Sequence, residues 1–96
     1  MEISDWRKRI DELDRKLVEL LNERSRCAAE IGRLKRRDGL PLYSPEREQE
    51  VLEQVERMNG GPLGNAQVRQ LFERIVDEAR SVEQAAYDEK PPGRGV

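Results

Sequence analysis

Histidine is absent from the sequence, and cysteine occurs only once, as Cys27. A chain without histidine has no Ser-His or Cys-His pair for nucleophilic catalysis, and a single cysteine cannot form an internal disulfide. A zinc site built from nitrogen and sulfur ligands is not plausible for the same reason. Any catalysis by this chain must therefore work without the usual nucleophile and general base.

Long apolar runs are also missing. Charged residues make up 40% of the sequence and hydrophobic residues 35%, and no segment approaches the length of a membrane span. The first residues are charged from Glu2 onward and do not resemble a signal peptide. The net charge is −2, and basic and acidic residues alternate along most of the chain. We therefore expect a cytoplasmic protein that binds neither nucleic acid nor a membrane.

The spacing of the apolar residues predicts a long first helix. They recur at alternating intervals of four and three, with one interruption at position 24, which is typical of a helix with one packing face. No proline interrupts this stretch, and Ser4 or Asp5 can cap its start. We expect a helix over residues 5–37, about 50 Å long. The apolar positions are Trp6, Ile10, Leu13, Leu17, Leu20, Cys27, Ile31 and Leu34.

Two shorter helices follow. Gly39 suits the end of a helix, Pro41 cannot continue one, and Ser44 followed by Pro45 is typical of a helix start. The second helix is predicted to pack through Val51, Leu52, Val55 and Met58. The third begins near Asn65, and its apolar residues at helical spacing are Val68, Leu71, Phe72, Ile75, Val76, Ala79, Val82 and Ala86.

Together these elements predict one all-α domain over residues 1–89, followed by a disordered tail over residues 90–96. With 96 residues the chain is near the lower limit at which one hydrophobic core holds a fold alone. A protomer of this size cannot cover a helix of about 50 Å. We therefore expect the protein to form an oligomer.

Four charged residues lie where helical spacing points toward the core. Arg24 interrupts the apolar face of the first helix, and Lys35 lies at the edge of that face. Glu48 of the second helix and Glu83 of the third also face inward. Burying an unpaired charge costs several kcal/mol, so these groups must pair with each other or surround a polar cavity. A salt-bridge network and side chains that reach past the face into solvent both remain open alternatives.

Arg7 can approach the same apolar face from the start of the first helix. It precedes Arg24 by 17 residues, which is about 25 Å along a straight helix, too far for both to hold one small molecule. If two copies of the helix pack antiparallel, Arg7 of one chain can lie near Arg24 of the other. An ordinary exposed arginine is the alternative interpretation.

Four segments in this order resemble the all-helical chorismate mutase family. They are WRKRIDELD over residues 6–14, LLNER over 20–24, EIGRLK over 30–35 and YSPERE over 43–48. The similarity covers about residues 5–87. The similarity is strongest to the forms found as N-terminal domains of prephenate dehydratases and of DAHP synthases.

This resemblance implies a three-helix protomer in an intertwined homodimer, with the long helices packed across the two-fold axis. It implies that Arg24, together with Arg7 of the partner chain, binds the two carboxylates of chorismate. Lys35 and Glu83 are implied to contact the ether oxygen of the breaking bond. Glu48 is implied to accept a hydrogen bond from the ring hydroxyl of the substrate.

Three further positions follow from the same resemblance. Arg47 is implied to line the site. Ser44 stands where the family can have an aspartate near the hydroxyl, and Ala79 stands where a serine can touch a carboxylate. These two differences bear on affinity more than on the type of reaction.

The activity implied by the resemblance is the Claisen rearrangement of chorismate to prephenate, a step of aromatic amino-acid biosynthesis that needs no metal or other cofactor. Two alternatives remain open from the residues. An isochorismate-pyruvate lyase of the same fold also needs arginines for two carboxylates. A non-catalytic helical dimerisation module would use the inward charges as salt bridges that fix the register.

Overall fold

The computed structural model describes residues 1–89, which form three α-helices and no strand. Helix α1 spans Ile3–Asp38, α2 spans Pro45–Met58 and α3 spans Asn65–Tyr87. The predicted all-α class is confirmed. The predicted tail over residues 90–96 lies outside the described residues. Within residues 1–89, no helix combines the length and apolar character needed to cross a membrane.

Helix α1 begins two residues earlier than predicted. Its N-cap is Glu2, and the Asp5 carboxylate accepts the backbone N–H of Glu2 at 2.8 Å. Capping by Ser4 or Asp5 was therefore the wrong expectation, since Asp5 bonds backward from within the first turn. The helix ends as expected at Gly39, whose φ of +67° lies in the left-handed region that favours glycine.

Side-chain caps also fix the starts of α2 and α3. The Ser44 hydroxyl accepts the backbone N–H of Arg47 at 3.3 Å, as its position before Pro45 predicts. At α3, the Gln67 side chain accepts the backbone N–H of Gly64 at 2.8 Å. Both caps satisfy backbone donors that have no partner inside the helix.

Helix α3 holds the protomer together by packing against both α1 and α2. Within residues 1–89, α1 and α2 make no close backbone contact with each other. The molecule measures 62 × 31 × 14 Å, and its radius of gyration of 17.4 Å exceeds the value of about 12.5 Å for a compact domain of this length. The core is correspondingly small, and its buried side chains are Ala28, Val51, Leu52, Val55, Val76 and Ala86.

Most of the apolar face of α1 is exposed in the single protomer. Trp6 and Leu17 are each 55% exposed, and the same holds to a similar degree for Ile10, Leu13, Leu20, Ile31 and Leu34. Met58 and Leu71, expected on the packing faces of α2 and α3, are exposed as well. A contiguous apolar face of this kind is typical of an interaction surface.

Helices α1 and α3 come closest at Gly32. A Cβ atom at this position would lie 2.4 Å from the backbone carbonyl oxygen of Glu83. The absence of a side chain therefore lets α1 approach the backbone of α3 directly. This contact lies one helical turn before Lys35, on the same side of α1.

Gly32→Ala should lower the free energy of unfolding by about 1–3 kcal/mol, because helix backbone cannot move aside as a flexible side chain can. Alanine would otherwise stabilise an exposed helical position by up to about 1 kcal/mol. Gly60→Ala is the matched control, since a Cβ there has no neighbour within 4 Å. Urea denaturation of both variants at equal protein concentration measures the difference. A Gly32→Ala variant as stable as the unmodified protein would contradict the close approach.

Candidate active site

A cavity of about 380 Å³ lies among the three helices. Its volume is in the range of sites for small organic ligands. Seven of the eight predicted site residues line it, and they are Arg24, Lys35, Ser44, Arg47, Glu48, Ala79 and Glu83. The remaining lining residues are Cys27, Ala28, Ile31, Val51 and Val76. The cavity therefore combines an apolar wall with charged groups contributed by every helix.

Lys35 and Glu83 form an ion pair at the cavity wall. The Lys35 ammonium donates to Glu83 Oε1 at 2.9 Å and to the backbone carbonyl of Leu42 at 2.6 Å. Both side chains of the ion pair are only 19% exposed. These two bonds leave the ammonium with one N–H for a ligand, because a lysine has three donors.

Arg24 contributes a positive charge that has no carboxylate partner within the described residues. It lines the cavity from α1 and is half-buried. Within residues 1–89 no Asp or Glu lies within 4.0 Å of its guanidinium. A guanidinium binds a carboxylate through two parallel hydrogen bonds, so Arg24 is suited to an anionic ligand.

Glu48 is held by Arg80, which is not one of the residues predicted from the sequence. Arg80 of α3 donates from Nε to Glu48 Oε2 at 2.9 Å and from NH2 to Oε1. The Arg80 guanidinium carbon lies 5.0 Å from the centroid of the Tyr43 ring, at a distance typical of a cation–π contact. The hydrogen bonds to Glu48 are the main cause of a raised pKa of Arg80.

Arg80 could have been found from the same helical spacing that selected Glu83. It follows the buried Val76 by four residues and precedes Glu83 by three, so it lies on the same side of α3. The signal was obscured by Ala79, which occupies the neighbouring position and satisfies the apolar pattern by itself. Arg80 is therefore not among the residues predicted from the sequence.

The other predicted residues differ in their surroundings. The Ser44 hydroxyl lines the cavity while it caps α2, and Arg47 reaches the cavity from the first turn of that helix. Arg47 also donates to Glu50, one turn later on the exposed side. Ala79 supplies only a methyl group to the wall.

Arg7 does not line this cavity. It is exposed in the first part of α1, and it lies far from Arg24 because 17 residues of helix separate the two. Within one protomer the structure therefore does not bring Arg7 to the other predicted site residues. Its predicted role depends on a second chain.

The all-helical fold and its charged cavity are consistent with a small enzyme that binds an anionic ligand. Comparison with known proteins identifies the family. The chorismate mutase type II family matches residues 6–84. The chain therefore belongs to this family, as the four sequence segments indicated.

Relatives in the family support the assignment over most of the chain. The bifunctional chorismate mutase/prephenate dehydratase of Pseudomonas aeruginosa is 42% identical over 83 residues, which are 81% of this chain and 23% of the relative. A similar enzyme of Aquifex aeolicus is 35% identical over 86 residues, or 85% of this chain and 24% of the relative. The chain thus spans about a quarter of the length of these bifunctional relatives.

Solved structures share the fold. A chorismate mutase from Thermus thermophilus superposes with a TM-score of 0.83 at 39% identity, covering 85% of this chain and 93% of that one. A chorismate mutase from Helicobacter pylori, solved in complex with prephenate, gives a TM-score of 0.82 at 27% identity and covers 93% and 97%. The three-helix protomer expected from the resemblance is thereby confirmed.

Proposed function

We propose that this chain is a chorismate mutase that rearranges chorismate to prephenate in aromatic amino-acid biosynthesis. The observation that carries the proposal is the cavity itself, which is lined by the Lys35–Glu83 pair and by Arg24, a cation with no carboxylate partner within residues 1–89. A cytoplasmic location remains a prediction. Family membership supports the reaction, and the side chains around the cavity support a mechanism for it.

The reaction is intramolecular, because one carbon–oxygen bond breaks while one carbon–carbon bond forms within the same molecule. The protein has to hold the enolpyruvyl ether folded over the ring and to stabilise negative charge that develops on the ether oxygen. Neither task requires a nucleophile. A chain without histidine can perform both with fixed hydrogen-bond donors.

The side chains around the cavity suit these two tasks. Arg24 binds one substrate carboxylate through its planar fork and so orients the substrate. Lys35 directs its remaining N–H toward the ether oxygen, and Glu83 lies next to it as a second group for the same atom. Glu48, which lines the same cavity together with Ser44 and Arg47, accepts a hydrogen bond from the ring hydroxyl.

The second carboxylate is bound by Arg7 of a partner chain in an intertwined homodimer. The exposed apolar face of α1 supports this arrangement, since Trp6, Ile10 and Leu13 lie on the same part of the helix as Arg7. Antiparallel packing of two α1 helices would cover that face. It would also bring Arg7 to the cavity of the other chain, so each dimer would contain two composite sites.

The proposal predicts that the purified protein forms prephenate from chorismate and that Lys35→Ala lowers kcat by about 100- to 1000-fold, with a smaller change in KM. The reason is that Lys35 acts mainly on charge that develops in the transition state. Arg57→Ala, which removes an exposed cation from the last turn of α2, is the control and should keep full activity. Steady-state kinetics measure both variants.

Other products would contradict the proposal in distinguishable ways. Release of pyruvate from isochorismate, without prephenate formation from chorismate, would identify a lyase of the same fold. A dimer with neither activity would indicate a helical dimerisation module, in which the Lys35–Glu83 pair serves only the packing of α1 against α3.

A second prediction concerns the form in which Glu83 acts. A carboxyl group can donate a hydrogen bond to the ether oxygen only when it is protonated, whereas glutamine donates at any pH. If the acid form acts on the ether oxygen, kcat/KM should fall as the pH rises, and Glu83→Gln should flatten this dependence. If Glu83 acts only as the carboxylate partner of Lys35, Glu83→Gln should lower kcat/KM without changing the shape of the profile. The measurement is a pH profile of kcat/KM for both proteins. A profile that keeps the same slope in Glu83→Gln would show that the acid form is not required.

Complementation between chains tests the role of Arg7. Arg7→Ala and Arg24→Ala should each be nearly inactive alone. In a mixed dimer one of the two sites regains both arginines, so a refolded equimolar mixture should recover about a quarter of the unmodified activity. An Arg7→Ala plus Lys35→Ala mixture should recover activity in the same way, because those residues also come from different chains. Absence of recovery in both mixtures would exclude a composite site.

A further inference from the structure

We infer that Arg80 is a positioning residue that fixes the Glu48 carboxylate in the orientation needed to accept the ring hydroxyl of the substrate. This inference rests on the proposed function. Arg80 itself does not line the cavity, whereas Glu48 does. Arg80 would therefore act on the substrate only through Glu48.

The contact between the two side chains is a bidentate one. Arg80 Nε donates to Glu48 Oε2 at 2.9 Å, and NH2 donates to Oε1. Two parallel hydrogen bonds fix the plane of the carboxylate as well as its position. Each carboxylate oxygen has a second lone pair, so the fork leaves acceptor capacity free for a donor in the cavity.

Arg80 is itself held from two other sides. Its guanidinium carbon lies 5.0 Å from the centroid of the Tyr43 ring, and its NH2 group lies 3.6 Å from Asp77 Oδ1. Tyr43 precedes α2, Glu48 lies in its first turn and Asp77 lies on α3. The guanidinium is thus placed before any ligand binds, which is the property required of a group that orients another.

The competing interpretation is that Arg80 and Glu48 form a structural salt bridge between α2 and α3. The chain contains another salt bridge between these two helices for comparison. Arg69 of α3 forms an ion pair with Glu56 of α2 at 3.2 Å, with side chains about one-third exposed. Neither residue of this pair lines the cavity. A purely structural role for Arg80 should therefore resemble the role of Arg69.

The experiment measures kcat and KM for Arg80→Lys and for the control Arg69→Lys with two substrates, chorismate and an analogue of chorismate without the ring hydroxyl. Lysine keeps the charge and loses the fork. With chorismate, Arg80→Lys should lower kcat/KM by about 10- to 100-fold. With the analogue, the decrease in kcat/KM should nearly vanish, since Glu48 then has no ring hydroxyl from which to accept a hydrogen bond. Arg69→Lys should have little effect on either substrate.

A double substitution provides a second readout. If Arg80 acts through Glu48, Arg80→Lys should change kcat/KM much less in a Glu48→Gln background than in the unmodified protein. Equal losses with both substrates, or additive losses in the double variant, would overturn the inference. Circular dichroism verifies folding. If Arg80→Lys is unfolded, Tyr43→Leu is tested instead, because it removes the ring that holds the guanidinium in place, and it should lower kcat/KM with chorismate more than with the analogue.

Failure of the inference differs from failure of the proposed function. An unmodified protein that does not rearrange chorismate contradicts the proposed function. An unmodified protein that is active, with Arg80→Lys variants that do not distinguish the two substrates, contradicts only the role of Arg80.

Discussion

The direct approach of α1 to α3 at Gly32 is the contact on which the rest of the structure depends. Because no side chain separates Gly32 from the backbone of Glu83, the two helices lie close enough for Lys35 to reach the Glu83 carboxylate. Helix α2 packs against α3 and not against α1 within residues 1–89, and the cavity lies among the three helices. One glycine therefore influences both the stability of the protomer and the position of two side chains proposed to act on the ether oxygen.

The pairing of the inward charges explains how so small a chain tolerates them around the cavity. Glu83 is paired with Lys35 and Glu48 with Arg80, so neither inward carboxylate lacks a cation. Arg24 is the exception among the inward charges of the described residues, and an anionic ligand would supply its missing partner. A protein selected only for stability gains little from such a cation, because an apolar residue at position 24 would continue the packing face. Of the salt-bridge network weighed from the sequence, only the Lys35–Glu83 pair is present among the described residues, since Glu48 pairs with Arg80, whereas Arg24 pairs with no carboxylate.

Helical periodicity and turn chemistry allowed the three helices to be predicted within a few residues, and the start of α1 differed because Asp5 bonds back to Glu2. The same periodicity selected the inward charges at 24, 35, 48 and 83, all of which line one cavity. It did not lead to Arg80, although that residue lies on the same side of α3 as Glu83, because the neighbouring Ala79 already satisfies the apolar pattern. Nor could it give the degree of exposure of the α1 face, because that depends on α2 packing against α3 and not against α1.

The central proposal is that side chains of two chains enclose a dicarboxylate at this cavity. The most direct test is a crystal structure of the protein with a dicarboxylate inhibitor shaped like the folded substrate. We expect one carboxylate to bind Arg24 and the other to bind Arg7 of the partner chain, with Lys35 and Glu83 facing the ether oxygen. An inhibitor bound elsewhere, or an unliganded cavity in which Arg24 faces only solvent and Arg7 remains remote in every copy, would contradict the proposal.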